Sequence, residues 1–142
     1  MAEISLAKAR TMIRKTLEAG RAQEMKPLAV AVLDAGGHVI AFERSDGAPP
    51  GRFELARAKA YGAVMLGMGG TAQRDRAEAQ AYFMIAANGI YGGQLAPVPG
   101  GILVRDKRGR VVGAVGVTGD TSENDLAVGI AGIEAAGFAA EG

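Results

Sequence analysis

Val111–Asp125 reads VVGAVGVTGDTSEND, an apolar, glycine-spaced run that stops at Gly119 and gives way within three residues to a helix start. Valine-rich runs of this length suit a buried strand, so the segment predicts a strand, a tight turn and a helix in succession. Ser122 is the expected N-cap, with Asp125 three positions on as its capping-box partner. Such a turn leaves backbone N–H groups facing a hollow, a common ligand site. Asp120, Glu123 and Asp125 crowd the same turn, however, and would repel a phosphate. Gly113, Gly116 and Gly119 lie along a strand instead of in a dinucleotide-type turn, and no Walker lysine follows a glycine loop. Three readings stay open: an edge for a neutral or cationic ligand, a structural cap, or a weak hard-cation site.

Working outward, Ile102–Arg105 and Arg110–Val117 flank Asp106-Lys107-Arg108-Gly109 and form one hairpin; Leu28–Leu33 and His38–Arg44 flank Asp34-Ala35-Gly36-Gly37 and form another. A further strand is expected within Gln94–Val98, confined to an edge by Pro97. Residues 3–20 have helical periodicity, with Ile4, Met12, Ile13 and Leu17 on one face. Arg52–Met68 predicts a second helix ended by Gly69-Gly70. Thr71 is the expected cap of a third, running to about Ala87 and closed by Asn88-Gly89. The last helix spans Ser122 to about Ala136. Hairpins imply an antiparallel sheet, so the chain is α+β with two consecutive helices over 52–87, and not a doubly wound α/β domain. With no internal repeat or linker, residues 1–142 are expected to form a single domain.

Composition narrows the function classes. A net charge of +1 and the absence of Trp argue against nucleic acid as a partner. No apolar run is long enough to span a bilayer, and the amino terminus lacks the apolar core of a signal peptide, so no membrane association and a cytoplasmic location are expected. The absence of cysteine excludes disulfides and thiolate metal sites, and one histidine leaves a zinc site too few ligands; no metal site is expected. No G-x-S-x-G elbow supports serine-hydrolase chemistry. Glycine is present 22 times, about twice average usage, which suits close backbone packing within a domain or between subunits.

Taken in order, VAVLDAGGHVIAFERSDGA (Val30–Ala48), the AKA of the following helix (Ala58–Ala60), the PVPGG loop (Pro97–Gly101) and VVGAVGVTGDTSEND resemble the GlcG/HbpS-type haem-binding protein family over nearly the whole chain. The resemblance implies a profilin-like fold: an antiparallel sheet of about five strands with helices on its faces. It implies homo-oligomers that bind haem or another tetrapyrrole, in some members with haem degradation, and an association with glycolate or propanediol catabolism. Two departures stand out. Gly119-Asp120-Thr121-Ser122-Glu123-Asn124-Asp125 replaces a commoner Gly-Gly-Thr-Pro-Glu-Gln-Asp type of turn, and Leu126 stands where an acidic residue is common.

The candidate residues follow from side-chain chemistry. His38 is the only imidazole available to an iron or to acid–base work, although its place just past Gly36-Gly37 also suits an exposed strand start. Lys59, mid-helix among small residues, could hold a carboxylate or propionate, or act as a base if buried beside a pocket. Tyr91 is a candidate proton donor, and Tyr61 and Tyr82 are further phenols that suit packing. Met65, Met68 and Met84 suit helix packing better than iron ligation, and Arg44 with Asp46 suggests a loop-ordering pair. The expected ligand-binding set is His38, Lys59, Pro99, Gly100, Gly101, Gly119, Asp120 and Thr121, serving a small or planar ligand that bears carboxylates. Alternatives are an isomerase- or lyase-type enzyme acting on a small organic acid, with Lys59, Arg52 and Tyr91 as its groups, or a structural oligomer with no small ligand.

Overall fold

The computed structural model describes residues 3–142. Five strands, β1 (Ala29–Asp34), β2 (Val39–Arg44), β3 (Gly101–Arg105), β4 (Val111–Thr118) and β5 (Ala139–Glu141), form one sheet in the order β2-β1-β4-β3-β5, with every neighbouring pair antiparallel. Five helices accompany it: α1 (Leu6–Ala22), α2 (Arg52–Leu66), α3 (Gly70–Ala79), α4 (Ala81–Ile90) and α5 (Ser122–Ala135). The α+β class, the antiparallel sheet and both hairpins match the sequence expectation.

The central strands are apolar on both faces because both faces are covered. Val30, Val32, Ile102, Val104, Val115 and Val117 point to one side, where Met12 and Ile13 of α1 and Val128 and Ile133 of α5 close the larger core. Each such fully buried side chain contributes about 1.5–3 kcal/mol. Leu33, Leu103 and Ala114 point the other way, onto Ala60 and Ala63 of α2. That second side is lined by small residues, and it draws α2 close. A Cβ on Gly116 would lie 1.8 Å from the Ala56 carbonyl oxygen, and one on Gly101 would lie 2.2 Å from the Lys59 carbonyl oxygen. Across the other face Gly132 brings α5 against α1, where a Cβ would lie 2.1 Å from Thr16 Oγ1. Ala56, Ala60, Gly129 and Gly132 are thus engaged inside the fold.

Several local expectations are corrected. The remaining strand is β5, paired with β3 at the sheet edge, and residues 94–98 form no strand. The segment expected as one helix over 71–87 is two, α3 and α4, broken at Gln80 (φ −142°, ψ 67°), so three helices lie between residues 52 and 90. Arg76 spans the break: its guanidinium bonds Gln80 Oε1 at 2.6 Å and stacks 4.0 Å over the Phe83 ring. Gly69, not Thr71, is the N-cap of α3, and α4 runs past Asn88-Gly89 to Ile90. Helix α1 begins at Leu6 behind Ser5, whose hydroxyl accepts the Lys8 N–H at 3.1 Å.

Candidate functional site

Lys59 sits on the face of α2 that meets the sheet and is buried at 5% exposure. Its Nζ donates to the Val117 carbonyl at 2.8 Å and to Asp125 Oδ2 at 3.3 Å. The Gly100-Gly101 backbone closes over it, since a Cβ on Gly100 would lie 2.9 Å from Nζ. Burial pushes the Lys59 ammonium below its ordinary pKa, against the opposing pull of Asp125, and the nearby Arg52 charge adds to the lowering. Burial pushes Asp125 up, opposed by Lys59 and by the Asp120 N–H. Arg52 joins the group through Nη1, which donates to Thr118 Oγ1 at 2.8 Å. The ammonium therefore ties α2, the end of β4 and the start of α5 together.

The turn at residues 119–125 is built differently from the capping box expected around Ser122. Thr121 is the N-cap, its hydroxyl accepting the Asn124 N–H at 3.1 Å, and Ser122 is the first helical residue. Asp125 lies one position beyond the usual capping-box partner and accepts the Asp120 N–H at 3.0 Å. Asp120 is itself an acceptor hub. The Lys26 N–H, the Asn124 side-chain amide and the Thr121 N–H pull its carboxyl down to about 2. Gly119, at φ +143°, packs so closely on Pro27 that a Cβ would lie 2.3 Å from its carbonyl oxygen. Among the described residues no group of three or more His, Asp or Glu side chains is placed to hold a metal ion.

The structure therefore brings Lys59, Gly100, Gly101 and the Gly119–Thr121 turn to one end of the sheet, with Pro99 buried beside them. His38 lies at the other end. Asp34 pairs with Gly113 of β4, whereas Lys59 reaches Val117, four residues further along that strand, a separation of roughly 13 Å. The His38 side chain is 81% exposed, and its Nδ1 lies 3.3 Å from Asp34 Oδ1. That same oxygen accepts the Gly36 and His38 N–H groups at 2.9 and 3.0 Å. These bonds hold the Asp34 carboxyl below its ordinary value in spite of the burial that works against them.

The second hairpin repeats this device. Asp106 Oδ1 accepts the Arg108 and Arg110 N–H groups at 2.9 and 3.0 Å, and Oδ2 accepts Arg110 Nε at 3.0 Å. Sequence reasoning read Asp34 and Asp106 only as turn residues; the signal for their further role was the shared spacing of an aspartate four residues ahead of a basic side chain (DAGGH, DKRGR). Between the two turns lies a cleft of about 440 Å³, with Ile4, Ile40 and Val112 as apolar wall and Asp34 and Arg110 at its polar edge.

Of the remaining candidates, Tyr61 and Met65 lie at the His38 end, beside Gly37. Tyr91 closes α4 and meets the Tyr61 ring edge-on at 6.4 Å, while the Arg57 guanidinium covers Tyr61 at 4.9 Å and bonds Gln94. Tyr82 is 70% exposed, Met84 is buried, and Met65 packs near Gly37. No ion pair joins Arg44 to Asp46 among the described residues; both line a groove beside the end of α1.

A five-stranded antiparallel sheet, with α1 and α5 on one face and α2 on the other, is the frame that these two ends define. The family of haem-degrading proteins described as HbpS-like matches residues 4–134, and the chain belongs to that family. It is 32% identical, over 88% of its length and 86% of the relative's, to an uncharacterised 15.0 kDa protein from the dhaT–dhaS intergenic region of Citrobacter freundii. Among solved structures it is similar to a PduOC–haem complex (TM-score 0.87, 21% identity, 99% of this chain and 100% of that one). It is also similar to a double Glu→Asp mutant of HbpS from Streptomyces reticuli (TM-score 0.81, 27% identity, 94% and 87%).

Proposed function

We propose that this chain binds haem, or a closely related tetrapyrrole, at the turn end of its sheet, with His38 as the iron ligand. The observation that carries this is the imidazole itself: exposed, alone of its kind, and with Nδ1 3.3 Å from Asp34 Oδ1. A carboxylate beside one ring nitrogen orients the ring. Nε2 is then the free, solvent-facing donor. The neighbouring cleft offers apolar wall from Ile4, Ile40 and Val112, with Arg110, which also bonds Asp106, and the carboxylates of Glu3 and Asp34 at its polar edge. Lys59 serves the fold in this reading, because its ammonium is covered by the Gly100 backbone. When bound, the iron would supply redox and ligand-exchange chemistry; the chain would supply one axial nitrogen and a partly apolar wall. Haemin titration followed by the Soret band tests the proposal. His38→Ala is expected to weaken binding at least tenfold, by about 1.4 kcal/mol per decade, and to shift the band. An unchanged band and affinity in that variant would overturn the assignment of His38, and absence of binding at micromolar protein would overturn haem.

We also propose that the chain forms a homo-oligomer through α4. The segment AYFMIAANGI carries no charge and leaves Tyr82, Ile85 and Ile90 70–78% exposed, the kind of patch a second copy would cover. Light scattering should show at least a dimer, and Ile85→Glu should shift it to monomer; a wild-type monomer of 14.5 kDa would refute this.

A further inference from the structure

Most guanidinium groups of this protein are engaged by an acid, an amide or a hydroxyl, as at Arg52, Arg57, Arg74, Arg76, Arg105 and Arg110. Among the described residues, Arg10 and Arg108 carry unpartnered guanidiniums singly, whereas Arg21, Lys26 and Arg44 are grouped. Their side chains have no ion pair or hydrogen bond among the described residues, yet all three rim one groove of about 460 Å³. They reach it from three segments: the last turn of α1, the loop before β1 and the end of β2. Leu17, Met25 and Leu28 form its apolar floor. We propose that this groove binds a small carboxylic acid with a short apolar body.

The backbone segments that carry the cations are held by contacts that do not depend on one another. Helix α1 closes in a Schellman motif, with the Met25 N–H on the Gly20 carbonyl at 3.0 Å and the Glu24 N–H on the Arg21 carbonyl at 3.1 Å. This closure satisfies carbonyls that would otherwise present the negative end of the helix dipole to an anion. It places Glu24 at φ +55°, the one non-glycine residue with positive φ among those described. That left-handed conformation costs about 1–2 kcal/mol, and strain of this kind collects where a loop must hold a shape. Lys26 is fixed by its own N–H, which donates to Asp120 Oδ2 at 3.0 Å. The end of β2 is fixed by the Ser45 N–H on the Leu28 carbonyl at 2.9 Å.

Asp46 also lines the groove. It offsets one of the three positive charges, so a monocarboxylate fits better than a polyanion. A carboxylate between two guanidiniums would gain bidentate, charge-assisted hydrogen bonds, while its alkyl chain covers Leu17 and Leu28. The groove is separate from His38, which lies at the opposite end of β2, roughly 17 Å away. Haem binding and acid binding can therefore fail independently.

Amide NMR titration of the full chain with valerate, valeramide and inorganic phosphate tests the proposal. Valerate should saturate with Kd at or below about 1 mM and shift resonances of residues 17–28 and 44–46. Valeramide should shift nothing there, and phosphate should bind at least tenfold more weakly because it has no apolar body. Arg44→Gln and Arg21→Gln, both at exposed positions, should each weaken valerate about tenfold with an unchanged circular dichroism spectrum. Non-saturating shifts with valerate, equal binding of phosphate or valeramide, or undiminished affinity in both variants would each overturn the proposal.

Discussion

Replacing Lys59 by methionine tests whether the buried cluster is a lock on the fold. The side chain is 6% exposed and its partner Asp125 is 1% exposed, so water can compensate neither. Methionine matches the apolar stem of lysine but removes the hydrogen bond to Val117 and leaves Asp125 with the Asp120 N–H as its remaining bond. Breaking a buried pair from one side costs about 3–5 kcal/mol. Asp125→Leu should cost a similar amount, because it strands the ammonium beneath Gly100. The double variant Lys59→Met/Asp125→Leu should lose much less than the sum, since replacing both charges removes both desolvation penalties; the expected coupling is about 2–3 kcal/mol. Urea unfolding followed by circular dichroism measures all four states of the cycle. A pH series adds a signed check. In Lys59→Met the Asp125 carboxyl, already raised by burial, loses its nearest cation and rises further. The folded state then holds a proton that the unfolded state releases above about pH 4. The deficit of this variant should therefore shrink as pH falls from neutrality through the folded Asp125 pKa. Additive losses, or a Lys59→Met cost below about 1 kcal/mol, would refute the argument.

Glu24→Gly should stabilise the protein by about 1 kcal/mol, read from the denaturant midpoint, because glycine accepts the left-handed conformation at the end of α1 without a Cβ clash. Gly116→Ala should destabilise by at least about 1–3 kcal/mol, since the new methyl would lie 1.8 Å from the Ala56 carbonyl oxygen and α2 would have to lift from the sheet; thermal melts measure this. Asp120, with its folded pKa at about 2, contributes stability that is present above its unfolded value near 4 and lost as pH falls from about 4 to about 2. Asp120→Asn should accordingly show a shallower loss over that window in acid-unfolding curves.

Strands β1 to β4 and their order of appearance were legible in this sequence because they are rich in valine and isoleucine and flank turns that open on Asp and close on Gly, and a two-faced buried strand leaves a continuous apolar run. The helix break at Gln80 was not, because no glycine or proline marks it; the change from the charged GTAQRDRAEA to the uncharged AYFMIAANGI was the available sign. Strand β5 escaped notice for a related reason. Three residues carry too little pattern to register, and what makes Ala139–Glu141 a strand is the open edge of β3. Lys59, Gly100 and Gly119 could be named from their motifs. Only the packing of α2 on glycine-lined strands shows that the ammonium is covered. The partner of His38 and the gathering of Arg21, Lys26 and Arg44 round one groove were likewise settled in three dimensions. Periodicity and turn chemistry act between near neighbours and so can be read along a chain. Whether a charge ends up buried, paired or free depends on segments up to 94 residues apart, and only the folded sheet brings those together.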